Sequence, residues 1–175
     1  THHVWMGSAD YQLNFNEDNS SLITYFAWQQ TDRNHYTGIQ PDAGTVEYKS
    51  FIENPPYGTS DVSTYTFGTQ LNHKVYDFLS GSNVFTFGSE YVYDDVIDEI
   101  PAYAYLIDQT TSDLGLFLQS DWRITPKVTL LSGVRMDNHN LVDKPIFSPR
   151  ASLMYTYKEN TQIRFSFGTG FRAPQ

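Results

Sequence analysis

Cysteine is absent from all 175 residues, which removes thiol catalysis, disulfide scaffolds, zinc fingers and iron–sulfur sites together. Basic residues are few, 11 Lys and Arg against 20 Asp and Glu, for a formal net charge of −9. No Lys/Arg cluster interrupts that balance, so a nucleic-acid partner, whose phosphates need such clusters, is excluded. No apolar run approaches the roughly 20 residues of a spanning helix. The motifs G-x-S-x-G, H-E-x-x-H and G-x-x-x-x-G-K are missing. The five histidines are scattered over separate segments, so no enzyme, metal site or cofactor is expected. Thr1 opens directly into an alternating segment, so no secretory leader is expected within this sequence, which reads as mature or as cut from something longer.

What is abundant is aromatic. Thirteen Tyr and twelve Phe sit in a chain whose mean hydropathy is only −0.46. A soluble globule rarely combines the two. A membrane β-barrel does, because each strand shows lipid an apolar face and the lumen a polar one, and an average over both faces hides the apolar half.

The chain is written in runs of alternating residues. The first places His3, Trp5, Gly7, Ala9, Tyr11, Leu13 and Phe15 on one face. The second, Ser21–Arg33, has aromatics at both parities, so its orientation stays open. Asp61–Tyr76 sets Tyr65, Phe67 and Leu71 against Thr64, Thr66, Gln70, Asn72 and Lys74. Asn83–Asp94 sets Phe85, Phe87, Tyr91 and Tyr93 against Thr86, Gly88 and Glu90. Thr111–Arg123 sets Leu114, Leu116, Leu118 and Trp122 against Gly115, Gln119, Asp121 and Arg123. Val128–Asp137, Ser148–Tyr157 and Thr161–Thr169 continue the theme, with Arg135, Asp137, Arg150 and Arg164 on the polar side. Val, Thr, Tyr and Phe in period two specify strands. Eight are expected, in an all-β antiparallel up-and-down meander.

The connections are expected to alternate in length. Asn16–Ser20, Asp77–Gly81, Ile124–Lys127 and Lys158–Asn160 are short; Asn34–Ser60, Asp95–Thr110 and Asn138–Phe147 are long. Outer-membrane barrels sort loops this way, with tight periplasmic turns and larger outer loops. On that mapping the first strand runs toward the periplasm. Trp and Tyr on nearly every strand would form interfacial girdles. Two alternatives remain: a small stand-alone outer-membrane barrel acting as porin or adhesin, for which eight strands suffice, and a soluble lipocalin-like binding barrel. The soluble case requires the faces reversed, apolar in and polar out.

The C-terminal third carries a more specific pattern. Gly133-Val134-Arg135-Met136-Asp137 is followed by Ser148-Pro149-Arg150-Ala151-Ser152 and by Gly168-Thr169-Gly170-Phe171-Arg172-Ala173-Pro174. With Leu116–Lys127 ahead of it, this series resembles the mid-barrel of TonB-dependent outer-membrane receptors, with a flavour of the Bacteroidetes branch that includes vitamin B12 (cobalamin) receptors. The resemblance implies a 22-stranded barrel closed by an N-terminal plug, importing a scarce nutrient, cobalamin or a ferric siderophore, with energy from the TonB complex. It further implies that residues 1–175 are one partial barrel domain lacking the plug, the TonB-contacting segment and the last barrel strands.

On that reading Arg135, Asp137, Arg150, Arg164 and Arg172 face the lumen, toward plug or ligand. A mutually paired, solvated lining is the favoured account of them. Ligand contact is expected in the outer loops, at His35, Tyr36, Tyr48, Tyr57, Tyr103 and Tyr105, where aromatic and polar groups together suit an organic nutrient or a surface lipoprotein. The acidic residues Asp94, Asp95, Asp98 and Glu99 lack the Gly-containing spacing of an EF-hand loop. Lipid is the expected surrounding.

Overall fold

A computed structural model of the chain describes residues 1–170. Its eight strands are β1 (His2–Phe15), β2 (Ser20–Tyr36), β3 (Tyr57–Val75), β4 (Ser82–Ile100), β5 (Tyr105–Thr125), β6 (Val128–His139), β7 (Ile146–Lys158) and β8 (Thr161–Gly168), hydrogen-bonded in sequence order in one sheet. The later ladders are antiparallel with registers such as Gly115↔Asp137, Gly133↔Arg150 and Arg150↔Gly168. A helix, α1 (Val46–Glu53), and a single 3-10 turn, Pro101–Tyr103, complete the elements.

The faces are sorted as a membrane sheet requires. There is no buried hydrophobic core among the described residues, and the buried polar or charged residues are Ser20, Asn83, Thr86, Asp137 and His139. The large apolar side chains are exposed instead, Phe165 by 69% and Phe167 by 67%. A soluble lipocalin-like barrel would do the opposite, so that alternative fails on its own criterion. Along β7 the outward set is Phe147, Pro149, Ala151, Leu153, Tyr155 and Tyr157. Ten residue steps of about 3.3 Å, tilted by about 40°, give an apolar band roughly 25 Å tall, the height of a barrel's lipid-facing belt.

Two compact units divide the chain. The first comprises Thr1–Ser8, Ala27–Tyr65 and Tyr93–Thr111. Here both faces of the strands are wet. Ser63 donates to Gln30 Oε1 at 2.5 Å, while its neighbour Thr64, on the opposite face, donates to Asp94 Oδ1 at 2.6 Å. Thr59 reaches Glu99 Oε1 at 3.2 Å and Thr110 reaches Asp95 Oδ1 at 3.0 Å.

These bonds correct the expected loop Asp95–Thr110. Its Asp, Glu and Thr residues belong to β4 and β5, which continue until only Pro101–Ala104 remains as connection. Strict short–long alternation therefore does not hold. The connection after β2 is long, but those after β4 and β6 are as compact as the turns they were contrasted with. The physical reason is that a hairpin rising out of lipid keeps its backbone ladder while losing its apolar face. The acidic residues 94, 95, 98 and 99 are accordingly strand residues.

The one long connection holds α1, which the alternation does not foresee. Thr45 caps it, its hydroxyl accepting from Tyr48 N at 3.1 Å, with Glu47 in the first turn where the helix dipole favours an acid.

The second unit comprises Ala9–Phe26, Thr66–Val92 and Ser112 onward. Its turns are tight. Asn16, Glu17 and Asp18 all take positive φ, and Asn19 N closes back on Asn16 O at 3.0 Å. Trp122 and Phe85 both meet Phe78 edge-on, with ring centroids at 5.6 and 5.2 Å, and the Phe78 turn closes at Gly81, φ +124°.

Candidate functional site

The wet face of the second unit carries a connected polar network. The open orientation of β2 is resolved by it: Tyr25 lies on the wet face, and its hydroxyl donates to Glu90 Oε2 on β4 at 2.5 Å. Arg135 on β6 approaches the same carboxylate from the other side, Nη2 to Oε1 at 3.4 Å, and donates through Nε to Asp137 Oδ1 at 2.6 Å. One glutamate thus receives groups from β2 and β6. Asp137 is 5% exposed, and a carboxylate so enclosed requires the cation beside it.

Glycines make this reach possible at Gly68 and Gly115, and Gly88 accommodates a neighbouring ring in the same way. A Cβ at Gly68 would lie 2.2 Å from Tyr25 Cζ; one at Gly88 would lie 2.4 Å from Phe117 Cζ; one at Gly115 would lie 2.2 Å from Arg135 Nη2. Each glycine is a slot in one strand over which a long side chain from another lies flat. Close approach, rather than strand bending, is their role.

Beside the network opens a cleft of about 660 Å³ whose lining includes Gln70, Asp113, Arg135, Asp137, Ser148 and Arg150. Asp113 Oδ1 is buried there without a hydrogen-bond partner. A second cleft of about 360 Å³ is lined by Asp121, Arg150, Ser152, Arg164 and Ser166 among others. Arg150 donates to Gln119 Oε1, and Arg164 donates to Met154 Sδ at 3.5 Å.

Of the residues singled out for the wet face, the structure joins Arg135 to Asp137 and sets Arg150 in the same cleft; Arg164 lies on β8 in the second cleft. Arg172 lies outside the described residues. Tyr25, Glu90 and Asp113 were not singled out. Period two places Asp113 in line with Gly115, and Glu90 with Gly88, but only the three-dimensional partners distinguish them from other polar-face residues.

Of the outer residues, four are strand ends rather than loop residues: His35 and Tyr36 close β2, Tyr57 opens β3 and Tyr105 opens β5. The ladders extend further outward than the apolar alternation does. Tyr36 and Tyr57 come together, ring centroids 5.2 Å apart, and Tyr36 also meets Phe51 of α1 edge-on at 6.2 Å. The His35 ring fills the space where a Cβ on Gly58 would stand, 2.5 Å from Nε2. Tyr48 is in the first turn of α1, and Tyr103 in the 3-10 turn, 58% exposed. Neither Tyr48 nor Tyr103 joins the Tyr36 cluster. Among the described residues no group of three or more His, Asp or Glu is placed to hold a metal ion.

An antiparallel sheet with its apolar side outward and a charged network inward is the wall of a transmembrane β-barrel. The sequence matches the family described as TonB dependent receptor-like, beta-barrel, over residues 2–175, and the chain belongs to that family. Its members are outer-membrane receptors, not enzymes, so the chain is an outer-membrane segment and its wet face is the lumen face.

The fold is similar to that of the siderophore receptor PirA from Acinetobacter baumannii, at 12% identity and a TM-score of 0.78, covering 99% of this chain and 26% of that one. It is also similar to a mutant of the ferric enterobactin receptor PfeA from Pseudomonas aeruginosa, at 16% identity and a TM-score of 0.79, with the same coverages. A third similar structure is the complex of FpvAI with pyocin S2, at 12% identity and a TM-score of 0.66, covering 94% of this chain and 25% of that one. The chain spans about a quarter of the length of these receptors. No curated protein matches its sequence significantly.

Proposed function

We propose that this segment is part of the wall of a receptor that imports a ferric siderophore across the outer membrane, drawing energy from the TonB complex through a plug domain of the full protein. The observation that carries this reading is the inversion of the sheet. Aromatic and aliphatic side chains face lipid, while Tyr25, Glu90, Arg135 and Asp137 form a charged lining on the other side. Such a wall encloses a polar passage.

The similar solved receptors PirA and PfeA are named for siderophores, which supports a ferric siderophore ahead of cobalamin as the cargo. The aromatic cluster of Tyr36, Tyr57 and Phe51, with His35 beside it, is the proposed outer surface for first contact with ligand. Tyr48, Tyr103 and Tyr105 supply further aromatic surface there. A surface lipoprotein would dock on the same side. Family membership replaces the stand-alone porin or adhesin reading.

The test is uptake. The full-length receptor, expressed in a strain stripped of its own iron and cobalamin receptors, should accumulate radiolabelled iron from ferric siderophores in a TonB-dependent manner. Accumulation of labelled cobalamin without iron would move the cargo to the corrinoid. Accumulation of neither, with the receptor inserted in the outer membrane, would defeat both.

A further inference from the structure

Charge is shared unequally between the two compact units. The first, Thr1–Ser8, Ala27–Tyr65 and Tyr93–Thr111, holds ten Asp and Glu against Arg33 and Lys49. With histidines neutral it therefore carries eight of the chain's nine net negative charges. On its strands the ratio is seven carboxylates to one cation, Arg33. None of the ten acids is in an ion pair among the described residues, where both salt bridges belong to Arg135 of the second unit.

Four of these carboxylates accept from neutral donors. Gln30 donates to Asp32, Thr64 to Asp94, Thr110 to Asp95 and Thr59 to Glu99. Such bonds hold a carboxylate in place without cancelling its charge. Asp98 Oδ1 is buried with no hydrogen-bond partner. Period two sets Asp94 and Asp98 on one face of β4 and Asp95 and Glu99 on the other, so both faces are negative. Asp61 registers the crowding: its hydrogen bond to Asp32, its burial and the charges of Asp32 and Glu99 all hold it above the usual carboxylate range.

The aromatic surface of the same unit has matching chemistry. Tyr36 and Tyr57 are 47% and 62% exposed. They lie beside each other, and Tyr36 meets Phe51 of α1, which is flanked in sequence by Glu47 and Glu53. A ring face attracts a cation, and surrounding carboxylates draw the cation toward it. Neither feature favours an anion.

We propose that the first unit selects its siderophore by charge, and that the cargo is a cationic ferric chelate. Hydroxamate-type oxygens would leave its iron core neutral, and a protonated amine would carry the positive charge to the Tyr36–Tyr57 rings. Catecholate and carboxylate chelates, which are anionic, are disfavoured. The inference rests on the siderophore reading above and deepens it by naming the chemical class of the cargo. A field of this sign acts on the encounter rate, before contact, and is screened by salt.

The experiment uses the full-length receptor in cells stripped of their own iron receptors. Three ferric tris-hydroxamates share one backbone and differ only at a terminal amine: free ammonium, acetylated and neutral, or succinylated and anionic. A trianionic ferric tris-catecholate is run beside them. Initial uptake is measured at ionic strengths of about 10 and about 300 mM, with sucrose balancing osmolarity. At low salt the ammonium form should enter about tenfold faster than the succinylated form, with the acetylated form between them. At high salt the ratio should fall below about threefold. Asp94→Asn, Asp95→Asn, Asp98→Asn and Glu99→Gln together should bring the low-salt ratio below about threefold as well. Glu47→Gln with Glu53→Gln, which leaves every strand untouched, should lower it in the same direction and covers the case in which the fourfold variant fails to insert.

A preference unmoved by salt, or unmoved in every variant that inserts, overturns the charge assignment and leaves the siderophore reading standing. So does equal or faster entry of the succinylated form, or entry of the tris-catecholate alone. Uptake of none of the four chelates by the unsubstituted, inserted receptor fails the siderophore reading, and this inference with it.

Discussion

The Glu90 carboxylate receives two bonds of unequal quality, and the inequality can be measured. Tyr25 reaches it at 2.5 Å and Arg135 at 3.4 Å. Arg135 has Asp137 at 2.6 Å as a second partner; among the described residues the Tyr25 hydroxyl bonds only to Glu90. Tyr25→Phe removes a hydrogen bond to a charged group, nominally about 1.5–3 kcal/mol, reduced toward 1–1.5 because water reaches a half-buried carboxylate. Glu90→Gln keeps an acceptor for Tyr25 but ends the ion pair. The Arg135 side chain is 36% exposed and Glu90's 28%, so that pair contributes at most about 0.5–1 kcal/mol.

Two double-mutant cycles in the full-length receptor, Tyr25→Phe with Glu90→Leu, which removes the acceptor, and Arg135→Met with Glu90→Gln, separate the contributions. Urea unfolding in lipid vesicles, followed by tryptophan emission, gives the free energies. The Tyr25–Glu90 coupling should be about 1 kcal/mol, and the Arg135–Glu90 coupling below about 0.5. A reversed order would refute the reasoning, as would two couplings below about 0.3 kcal/mol, the margin within which independent sites add.

Three further outcomes follow from steric and solvent position. Gly88→Ala should destabilise by about 2–3 kcal/mol, more than Gly115→Ala, because its Cβ would meet the Thr69 carbonyl at 2.8 Å whereas that of Gly115 meets the movable end of Arg135; equal losses in the same unfolding assay would contradict this. Phe165→Arg places a charge in lipid and should cost about 2–4 kcal/mol, while Ser166→Gln next door on the lumen face should stay within about 0.5; similar values would mean the faces are misassigned. Gly81→Ala should exceed Gly44→Ala in cost, the second being limited to about 1–2 kcal/mol of backbone strain, since both take positive φ but only Gly81 has a carbonyl, Arg123 O, at 2.1 Å from the added Cβ; folding yield and melting temperature check the order.

Most of the strand framework was legible because lipid on one side and water on the other impose period two. Tyr65, Phe67 and Leu71 against Gln70 and Asn72 is a pattern that no register error of one residue survives. The same cause explains what could not be read. Beyond the lipid both faces are wet, alternation vanishes, and Asp95–Thr110 reads as loop although Thr110 is bonded to Asp95 across a hairpin. β2 carries aromatics on both faces, so Tyr25 is distinguishable from Phe26 only by Glu90, 65 residues away. The candidate lumen arginines were visible as residues; that Arg135 is neutralised while Arg150 and Arg164 keep neutral partners depends on three-dimensional neighbours.

The glycine slots bear on how such a wall assembles. A strand entering lipid is guided by its apolar face, and that guide is blind to slips of two residues, which return every side chain to the correct side. The slots are not blind. A two-residue slip would bring Tyr25 against Thr66 or Gln70 in place of Gly68, and Phe117 against Thr86 or Glu90 in place of Gly88, where a side chain already occupies the space. Lipid selects which face a strand shows; Gly68, Gly88 and Gly115 select which of the face-preserving alignments can close, so that proofreading of the wall is written into the residues that have no side chain.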